Sequence, residues 1–254
     1  MRLYKIVCGL VLVILIPTQG LSLGFEFAVT AWKPSLAGEV SYDALTEADI
    51  LELDDVFDLD EPWRLSGRLK LDIPFFPNLY LMATPMEFSG PGVLPFSLNF
   101  GDTTFSPGVE LDAFLTLNIY DVGLYYTIPF LGIATAGILN CEVGLDARMI
   151  DLKAQIEEVS TGLDESEDFT VAFPLLYGAV QIYPVKHLAL EVEARGVSYG
   201  DNRIFSLISR LKIRPLGPVF IAGGYRDETI LFDYKGIEMD MRCTGPFAEA
   251  GLQW

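Results

Sequence analysis

One eleven-residue segment of this chain alternates strictly between apolar and polar side chains. From Trp63 to Ile73, one parity holds Trp63, Leu65, Leu69, Leu71 and Ile73, and the other holds Arg64, Ser66, Arg68, Lys70 and Asp72. Because successive side chains of a strand point to opposite faces, the pattern predicts a β-strand with one apolar and one charged face. Similar alternation recurs at 140–149, 188–195 and 205–214. Strands of about 9–11 residues can cross a bilayer at a tilt.

The connections between such segments indicate the topology. Short, proline-containing links at 74–78, 129–132, 184–187 and 215–218 alternate with polar connections at 43–61, 89–108, 158–169, 200–203 and 232–245. Short turns at one end and longer loops at the other are typical of outer-membrane barrels. We therefore predict an all-β fold, an antiparallel transmembrane β-barrel of about ten strands, with eight or twelve as alternatives. The strands are expected at 23–42, 63–73, 79–88, 110–128, 131–157, 170–183, 188–199, 204–214, 219–231 and 246–254.

Two of these strands have an irregular pattern. Pro85 interrupts the third strand, whose alternation is blurred. The fourth strand changes its parity near Asp121, which we interpret as a β-bulge.

The N-terminal segment predicts export. Arg2 and Lys5 precede an apolar run at 6–16, followed by Pro17-Thr-Gln-Gly20. This order is typical of a secretory signal peptide, here residues 1–22 with cleavage after Gly20 or Ser22. The run is shorter than the roughly 18 apolar residues of a spanning helix. Residues 23–254 are then expected to form a single barrel domain.

If the apolar faces contact lipid, the charged faces meet inside the barrel. The predicted lumen-lining residues are Arg64, Arg68, Lys70, Asp72, Glu142, Asp146, Arg148, Glu191, Glu193, Arg195, Arg210, Lys212 and Glu249. About eight strands give an interior just filled by side chains, so about ten should leave little free bore. Since both signs of charge are present, ion pairs can offset desolvation. The pattern favours a plugged lumen, and a narrow channel for ions or small solutes is the alternative.

A soluble barrel with an apolar interior shows the same period of two, and a soluble barrel or sandwich is the main alternative fold. Aromatic residues near the predicted strand ends favour the membrane barrel, because such rings concentrate at the two membrane interfaces. They are Trp32, Trp63, Phe75, Phe76, Tyr125, Tyr126, Phe130, Tyr183, Tyr199, Tyr225 and Trp254.

Other function classes find little support in the sequence. The formal net charge of −18 argues against nucleic acid as a partner, because phosphate binding requires clustered positive charge. The single histidine, His187, lies in a short predicted turn, so a histidine-dependent hydrolase at the outer leaflet is not expected. The acidic stretch 47–61 lacks the spacing of a calcium loop. We expect no catalytic residue, no metal site and no cofactor.

Several segments resemble a family of small Gram-negative outer-membrane β-barrel proteins of unassigned function. They are Leu23-Gly-Phe-Glu26 through Trp32, the Pro-Asn-Leu link at 77–79, the strand Tyr120–Tyr126 and the terminal Trp254. The resemblance implies residence in the outer membrane, among its lipid and lipopolysaccharide. It supplies no active site. The terminal strand also resembles the signal read by the barrel-assembly machinery, for which Leu252 and Trp254 would be the residues recognised.

Overall fold

The computed structural model describes residues 23–42, 51–100, 103–200, 202–234 and 237–254. The predicted signal peptide lies outside these residues and stays a prediction. The elements are β1 Gly24–Trp32, β2 Ser35–Tyr42, β3 Leu51–Glu52, α1 Leu53–Val56, β4 Arg64–Asp72, β5 Asn78–Val93, β6 Leu98–Phe100, β7 Thr103–Phe105, β8 Glu110–Thr127, α2 Leu131–Ala134, β9 Leu139–Glu158, β10 Asp164–Val185, β11 Leu188–Tyr199, β12 Asn202–Leu216, β13 Val219–Tyr234 and β14 Ile237–Gln253.

The sheet closes into an antiparallel barrel with ten strands in its wall. The wall runs β1–β4–β5–β8–β9–β10–β11–β12–β13–β14, and β14 returns to pair with β1. The strand β2 continues β1 along β14, beginning where Ser35 faces Thr244, so the two act as one wall strand. The predicted fold class and the count of ten are confirmed.

Strand boundaries differ from the prediction mainly at one end of the barrel. We call the end with the connections 73–77, 128–138, 186–187 and 217–218 the turn end, and the opposite end the loop end. The predicted loop at 232–245 is wrong, because β13 and β14 pair as far as Tyr234 and Ile237. The predicted loop at 158–169 is shortened to 159–163, since Asp164 already pairs with Glu157. At the turn end, the start of the predicted fifth strand is instead α2.

The segment 51–60 completes the wall at the loop end. There β4 pairs with β5 only between Gly67–Leu71 and Leu79–Ala83, which leaves the rest of β5 free on that side. Main-chain contacts of 51–60 fill this gap between β2 and β5. Leu51 pairs with Val40 of β2. Phe57 forms a bridge to Gly92 of β5, and the Asp60 amide donates to the Ser89 carbonyl of β5. This part of the acidic stretch, which we predicted as part of a polar connection at 43–61, is therefore built into the barrel.

The strands reverse their polarity part-way along the barrel. On β9, outward positions toward the turn end are apolar, namely Val143, Leu145, Ala147 and Met149, and outward positions toward the loop end are Asp151, Lys153, Gln155 and Glu157. Inward positions change in the opposite sense, from Glu142, Asp146 and Arg148 to Ile150, Leu152 and Ile156. The strands β8, β10, β13 and β14 show the same reversal.

The reversal occurs at one level of neighbouring strands. Asn118, Asp151 and Thr170 face one another on β8, β9 and β10. Their side chains form a hydrogen-bonded row, in which the Asn118 amide donates to Asp151 at 3.3 Å and the Thr170 hydroxyl at 3.1 Å. On the turn-end side of this row the outward neighbours are Tyr120, Met149 and Ala172. The outer surface therefore consists of an apolar band between this row and the turn end and a polar zone between this row and the loop end.

This reversal explains the parity change near Asp121. The pairing of β8 with β5 and with β9 continues without a shift through Asp121, so the predicted bulge is wrong. Asp121 and Ile119 both point inward, one into the charged interior and the other into the apolar interior. The alternation of side-chain direction is intact, and only the polarity of the two faces is exchanged.

An apolar core fills the interior at the loop end. Ile119, Ile150, Ile230 and Met241 contribute from the wall, all at most 1% exposed. The connections at the loop end add to the same buried cluster, through Leu53, Phe57, Leu94, Leu98, Phe100 and Phe105. The hairpin β6–β7 and the segment around α1 are thus packed parts of the barrel.

Candidate functional site

A layer of buried charges occupies the barrel interior below the apolar core. Of the thirteen residues predicted to line the lumen, eleven are buried; Arg64 is half-buried and Asp72 is exposed. Without Glu158, which lies at the loop end of β9, the layer contains seven basic and eight acidic buried side chains. The charges therefore nearly balance within the layer.

Arg68 lies at the centre of the largest group of ion pairs. Its guanidinium Nη2 is 2.6 Å from Glu26 Oε1 and 2.9 Å from Glu249 Oε1. Arg210 Nη1 is 3.0 Å from Glu193 Oε1, while Lys212 Nζ bridges Glu26 and Glu191 at 3.0 and 2.8 Å. These side chains come from β1, β4, β11, β12 and β14, so the group connects both sides of the barrel. These ion pairs therefore link strands on different sides of the barrel interior.

Lys70 and Glu142 form a second group near the turn end. Lys70 Nζ lies 2.9 and 2.7 Å from the two carboxylate oxygens of Glu142. The Tyr177 hydroxyl and the Gln181 amide also donate to Glu142, at 2.7 and 3.0 Å. Lys70 Nζ lies 4.8 Å from the centroid of the Tyr125 ring. Ammonium and carboxylate are thus each surrounded by complementary groups.

Arg148 organises the third group, next to the apolar core. It binds Asp121 in a bidentate manner, at 2.7 and 3.1 Å, and donates to Glu228 at 2.6 Å. The Ser206 hydroxyl and Arg226 also donate to Glu228, at 2.6 and 2.8 Å. The Arg226 guanidinium lies 4.5 Å from the Trp32 ring centroid. This group closes the charge layer on the side of the apolar core.

Aromatic rings separate the second and third groups. The Arg195 guanidinium lies 4.2 Å from the ring centroid of Tyr80 and 5.0 Å from that of Tyr177, within range of cation–π attraction. It also donates to Asp146 at 3.1 Å. Gly144 allows β9 to approach β8 closely at Tyr125, since a Cβ at this glycine would collide with the Leu124 carbonyl oxygen and lie 2.7 Å from the Tyr125 Cβ. Rings and guanidinium planes thus fill the space that ten strands enclose.

Several members of the layer were not predicted from the sequence. Glu26, Asp121, Arg226 and Glu228 are buried and paired, and Tyr80 donates to Glu193 at 3.2 Å. Asp121 and Glu228 lie where the polarity reverses, so strict alternation did not select them. The signal for Glu26 was present, because Phe25, Phe27 and Val29 share the outward parity on either side of it.

The predicted aromatic positions divide into two sets. Trp63, Phe75, Phe76, Tyr126, Phe130, Tyr199, Tyr225 and Trp254 are exposed. Trp32 and Tyr125 are instead buried inside the barrel, at 0% and 1% exposure, and Tyr183 is half-buried with its hydroxyl donating to Gln181. Their prediction as surface residues at the strand ends is therefore wrong.

Residues 23–254 contain one histidine, His187, and two cysteines, Cys141 and Cys243. His187 is exposed in the two-residue turn between β10 and β11. Within the described ranges there is no group of three or more histidine, cysteine or acidic side chains spaced for a metal ion. In the same ranges no helix is long and apolar enough to span a membrane. Cys141 and Cys243 are both free thiols.

In the strand β14, apolar residues alternate with a buried charge, as in the other strands that contribute to the charge layer. Ala248 and Ala250 are exposed on the outer surface, and Glu249 is buried in the charge layer. Trp254 exchanges two main-chain hydrogen bonds with Phe25, at 2.9 and 3.2 Å, and the two ring centroids are 5.7 Å apart. The barrel therefore closes between β1 and β14.

No protein-family model matches the chain, and no curated protein matches it at a significant level. Solved outer-membrane β-barrels have a similar architecture. Ail of Yersinia pestis, in complex with the heparin analogue sucrose octasulfate, is 10% identical over 89% of this chain and 98% of its own, with a TM-score of 0.38. The translocator domain of the autotransporter NalP from Neisseria meningitidis is 11% identical over 99% of this chain and 96% of its own, with a TM-score of 0.46. The monoaromatic hydrocarbon channel CymD is 12% identical over 94% of this chain and 70% of its own, with a TM-score of 0.34. Such low scores carry no information about function.

Proposed function

We propose that this chain is an integral protein of the bacterial outer membrane, with a closed lumen and a structural or surface-exposed role. The apolar outer band supports the location. On β10 the outward positions from Ala172 to Ile182 lack polar side chains, and on β12 those from Phe205 to Ile213 carry only Ser209 as a polar side chain. Bands of this length suit a tilted crossing of the hydrocarbon layer.

The orientation of the barrel follows from its two ends. Periplasmic connections of outer-membrane barrels are short, so the turn end is assigned to the periplasm and the loop end to the cell exterior. Phe75, Phe76 and Phe130 are 96%, 67% and 76% exposed in turn-end connections. Aromatic rings favour membrane interfaces, so these three suit the inner rim of the apolar band.

One observation supports the closed lumen: the charge layer and the apolar core fill successive levels of the barrel interior. The charge layer connects separate parts of the wall, through Arg68 with Glu193, Arg148 with Glu228 and Lys212 with Glu26. Above it lies the apolar core, with Phe100 and Phe105 contributed by the hairpin β6–β7. A solute would have to displace buried ion pairs and then an apolar core, and both are costly.

Electrical recording from the refolded protein in planar lipid bilayers tests the closed lumen. We expect no conductance above leak at any applied potential. The control is a variant lacking residues 98–105, which removes the hairpin β6–β7 but leaves the charge layer in place; it should also remain closed. Steady, stepwise conductance in the unchanged protein would contradict the proposal.

A narrow ion or solute path is the second candidate function. It is favoured by buried polar atoms that have no hydrogen-bond partner, among them Arg68 Nε, Arg210 Nε, Arg195 Nη1 and Asp146 Oδ1. Buried polar groups of this kind often bind ordered water, and a chain of water molecules can support conduction. If a conductance is recorded, the variants Arg68→Met and Arg210→Met should change its ion selectivity. Unchanged selectivity would place the path elsewhere.

The proposed partner during biogenesis is the barrel-assembly machinery, with Leu252 and Trp254 as the recognised residues. The variant Leu252→Ala/Trp254→Ala should lower the amount of folded protein in the outer membrane several-fold, while purified chain refolds in detergent as before. Trp63→Ala is the matched control, since Trp63 is 57% exposed and Trp254 is 56% exposed. The measurement is the heat-modifiable band on a gel of membrane fractions. Equal losses for both variants would indicate a general folding defect.

A further inference from the structure

Three neighbouring strands place four carboxylates side by side at the loop end. Asp240 on β14 faces Glu39 on β2 and Leu231 on β13, and in the next row Glu238 faces Ser41 and Asp233. The four acidic side chains are exposed, while Phe232 and Met239, the inward neighbours, are 3% and 2% exposed. The patch lies in the polar zone, on the side assigned to the cell exterior.

A pocket of about 180 Å³ opens at this patch. The four acidic residues and Ser41 supply its polar lining, Leu231 supplies an outward apolar side chain, and Phe232 and Met239, whose side chains belong to the interior core, also border it. An engineered cavity of roughly 150 Å³ is large enough to bind benzene. The pocket therefore has room for one small ligand or for one side chain of a partner.

The acidic groups of the pocket form no salt bridge with any described residue. Glu39 faces Asp240 and Glu238 faces Asp233, and like charges directly opposite each other destabilise a sheet. The ion pairs of the polar zone lie elsewhere, such as Arg242 with Asp227 and Lys33 with Glu61. The arrangement lowers stability unless a cation is bound between the carboxylates.

Ser41 gives independent evidence for a missing ligand. Its side chain is 1% exposed, and its hydroxyl oxygen has no hydrogen-bond partner. A buried hydroxyl without a partner is costly, and each such group requires an explanation. A donor group bound in the pocket would satisfy this oxygen.

We propose that this pocket binds a primary ammonium or guanidinium group carried on a short apolar stem. The carboxylates would accept charge-assisted hydrogen bonds from the cation, and the Ser41 hydroxyl would accept one more. The outward side chain of Leu231 would contact the methylene groups of the stem. The cation comes either from a small molecule or from a lysine or arginine side chain of a partner. The inference is independent of whether the lumen is closed.

Isothermal titration of the refolded protein in zwitterionic detergent tests the proposal, with agmatine as the small-molecule probe. We expect saturable binding at one site, and at least a tenfold weaker affinity for Asp233→Asn/Glu238→Gln. The control Asp164→Asn/Asp168→Asn removes the same charge from exposed outward positions of β10 and should change the affinity less than twofold. The variant Ser41→Ala should weaken binding with the net charge unchanged.

Three outcomes would overturn the proposal. Equal losses in the two charge variants, or no saturation, would mean diffuse attraction to an acidic surface. Stoichiometric Ca²⁺ binding that displaces agmatine would mean a metal site. Lys235 lies outside the described residues. Binding of agmatine only to the variant Lys235→Ala would mean that this lysine is the natural occupant. To identify the source of the cation, the peptide Gly-Arg-Gly is compared with agmatine: tighter binding of the peptide indicates a protein partner, and tighter binding of agmatine a small molecule.

Discussion

The variant Glu142→Gln should lower the free energy of unfolding by about 3–5 kcal/mol, because it leaves the Lys70 ammonium buried without an acidic partner. Among the described residues Lys70 forms an ion pair only with Glu142, at 2.7 Å, and both side chains are at most 8% exposed. The double variant Lys70→Met/Glu142→Gln removes both charges and should recover most of the loss, because the Tyr177 hydroxyl still has an amide oxygen to bind. Denaturant unfolding in lipid vesicles, followed by tryptophan fluorescence, measures these changes.

The control for this cycle is an ion pair in the polar zone. Arg242 and Asp227 are bonded on the outer surface, and the Arg242 side chain is 62% exposed. The variant Arg242→Met should leave the unfolding midpoint nearly unchanged, since water solvates the remaining carboxylate. If Glu142→Gln proved equally harmless, the interior of the barrel would have to be hydrated and open at that level.

The second large effect concerns the position of the membrane. Leu145 is 65% exposed in the apolar band of β9, and Leu145→Arg should destabilise the barrel by about 2–4 kcal/mol in lipid vesicles. Gln155→Arg introduces the same side chain on the same face of the same strand, but in the polar zone, and should cost less than about 0.5 kcal/mol. Unfolding in vesicles of defined thickness measures both. Equal effects at the two positions would mean that the bilayer does not end between them.

The strands were predicted well from the sequence where each face of a strand contacts the same surroundings, either lipid or the charged interior, along its whole length. The segment Trp63–Ile73 became β4 almost unchanged, because its apolar residues lie in the outer band and its central charges, Arg68 and Lys70, lie inside. The segment 232–245 was predicted as a loop because its acidic residues break an apolar pattern. In the barrel, Glu238 and Asp240 take outward positions in the polar zone, and Met239 and Met241 fill the core.

The change of environment along a strand explains why the two predicted folds competed. A membrane barrel with a polar interior and a soluble barrel with an apolar interior differ only in which face is apolar. On β9 the first arrangement holds up to Met149 and the second from Ile150 onward. Periodicity alone cannot locate this change, because the period of two continues through it. The partners of each charge, such as Asp121 for Arg148, depend on the closure of the barrel and could not be read from the chain.

The polarity reversal on β9 also protects the barrel against misfolding. A slip of one residue in the pairing of a strand turns every side chain to the other face. For β9 such a slip would place Arg148 in the lipid and, in the same movement, Ile150 in water. In a strand of uniform polarity, a slip is opposed only by the transfer of polar residues into lipid. In a strand that reverses its polarity, a slip is also opposed by the transfer of apolar residues into water. The correct alignment of these long strands is therefore specified twice, once by the bilayer and once by the surrounding water.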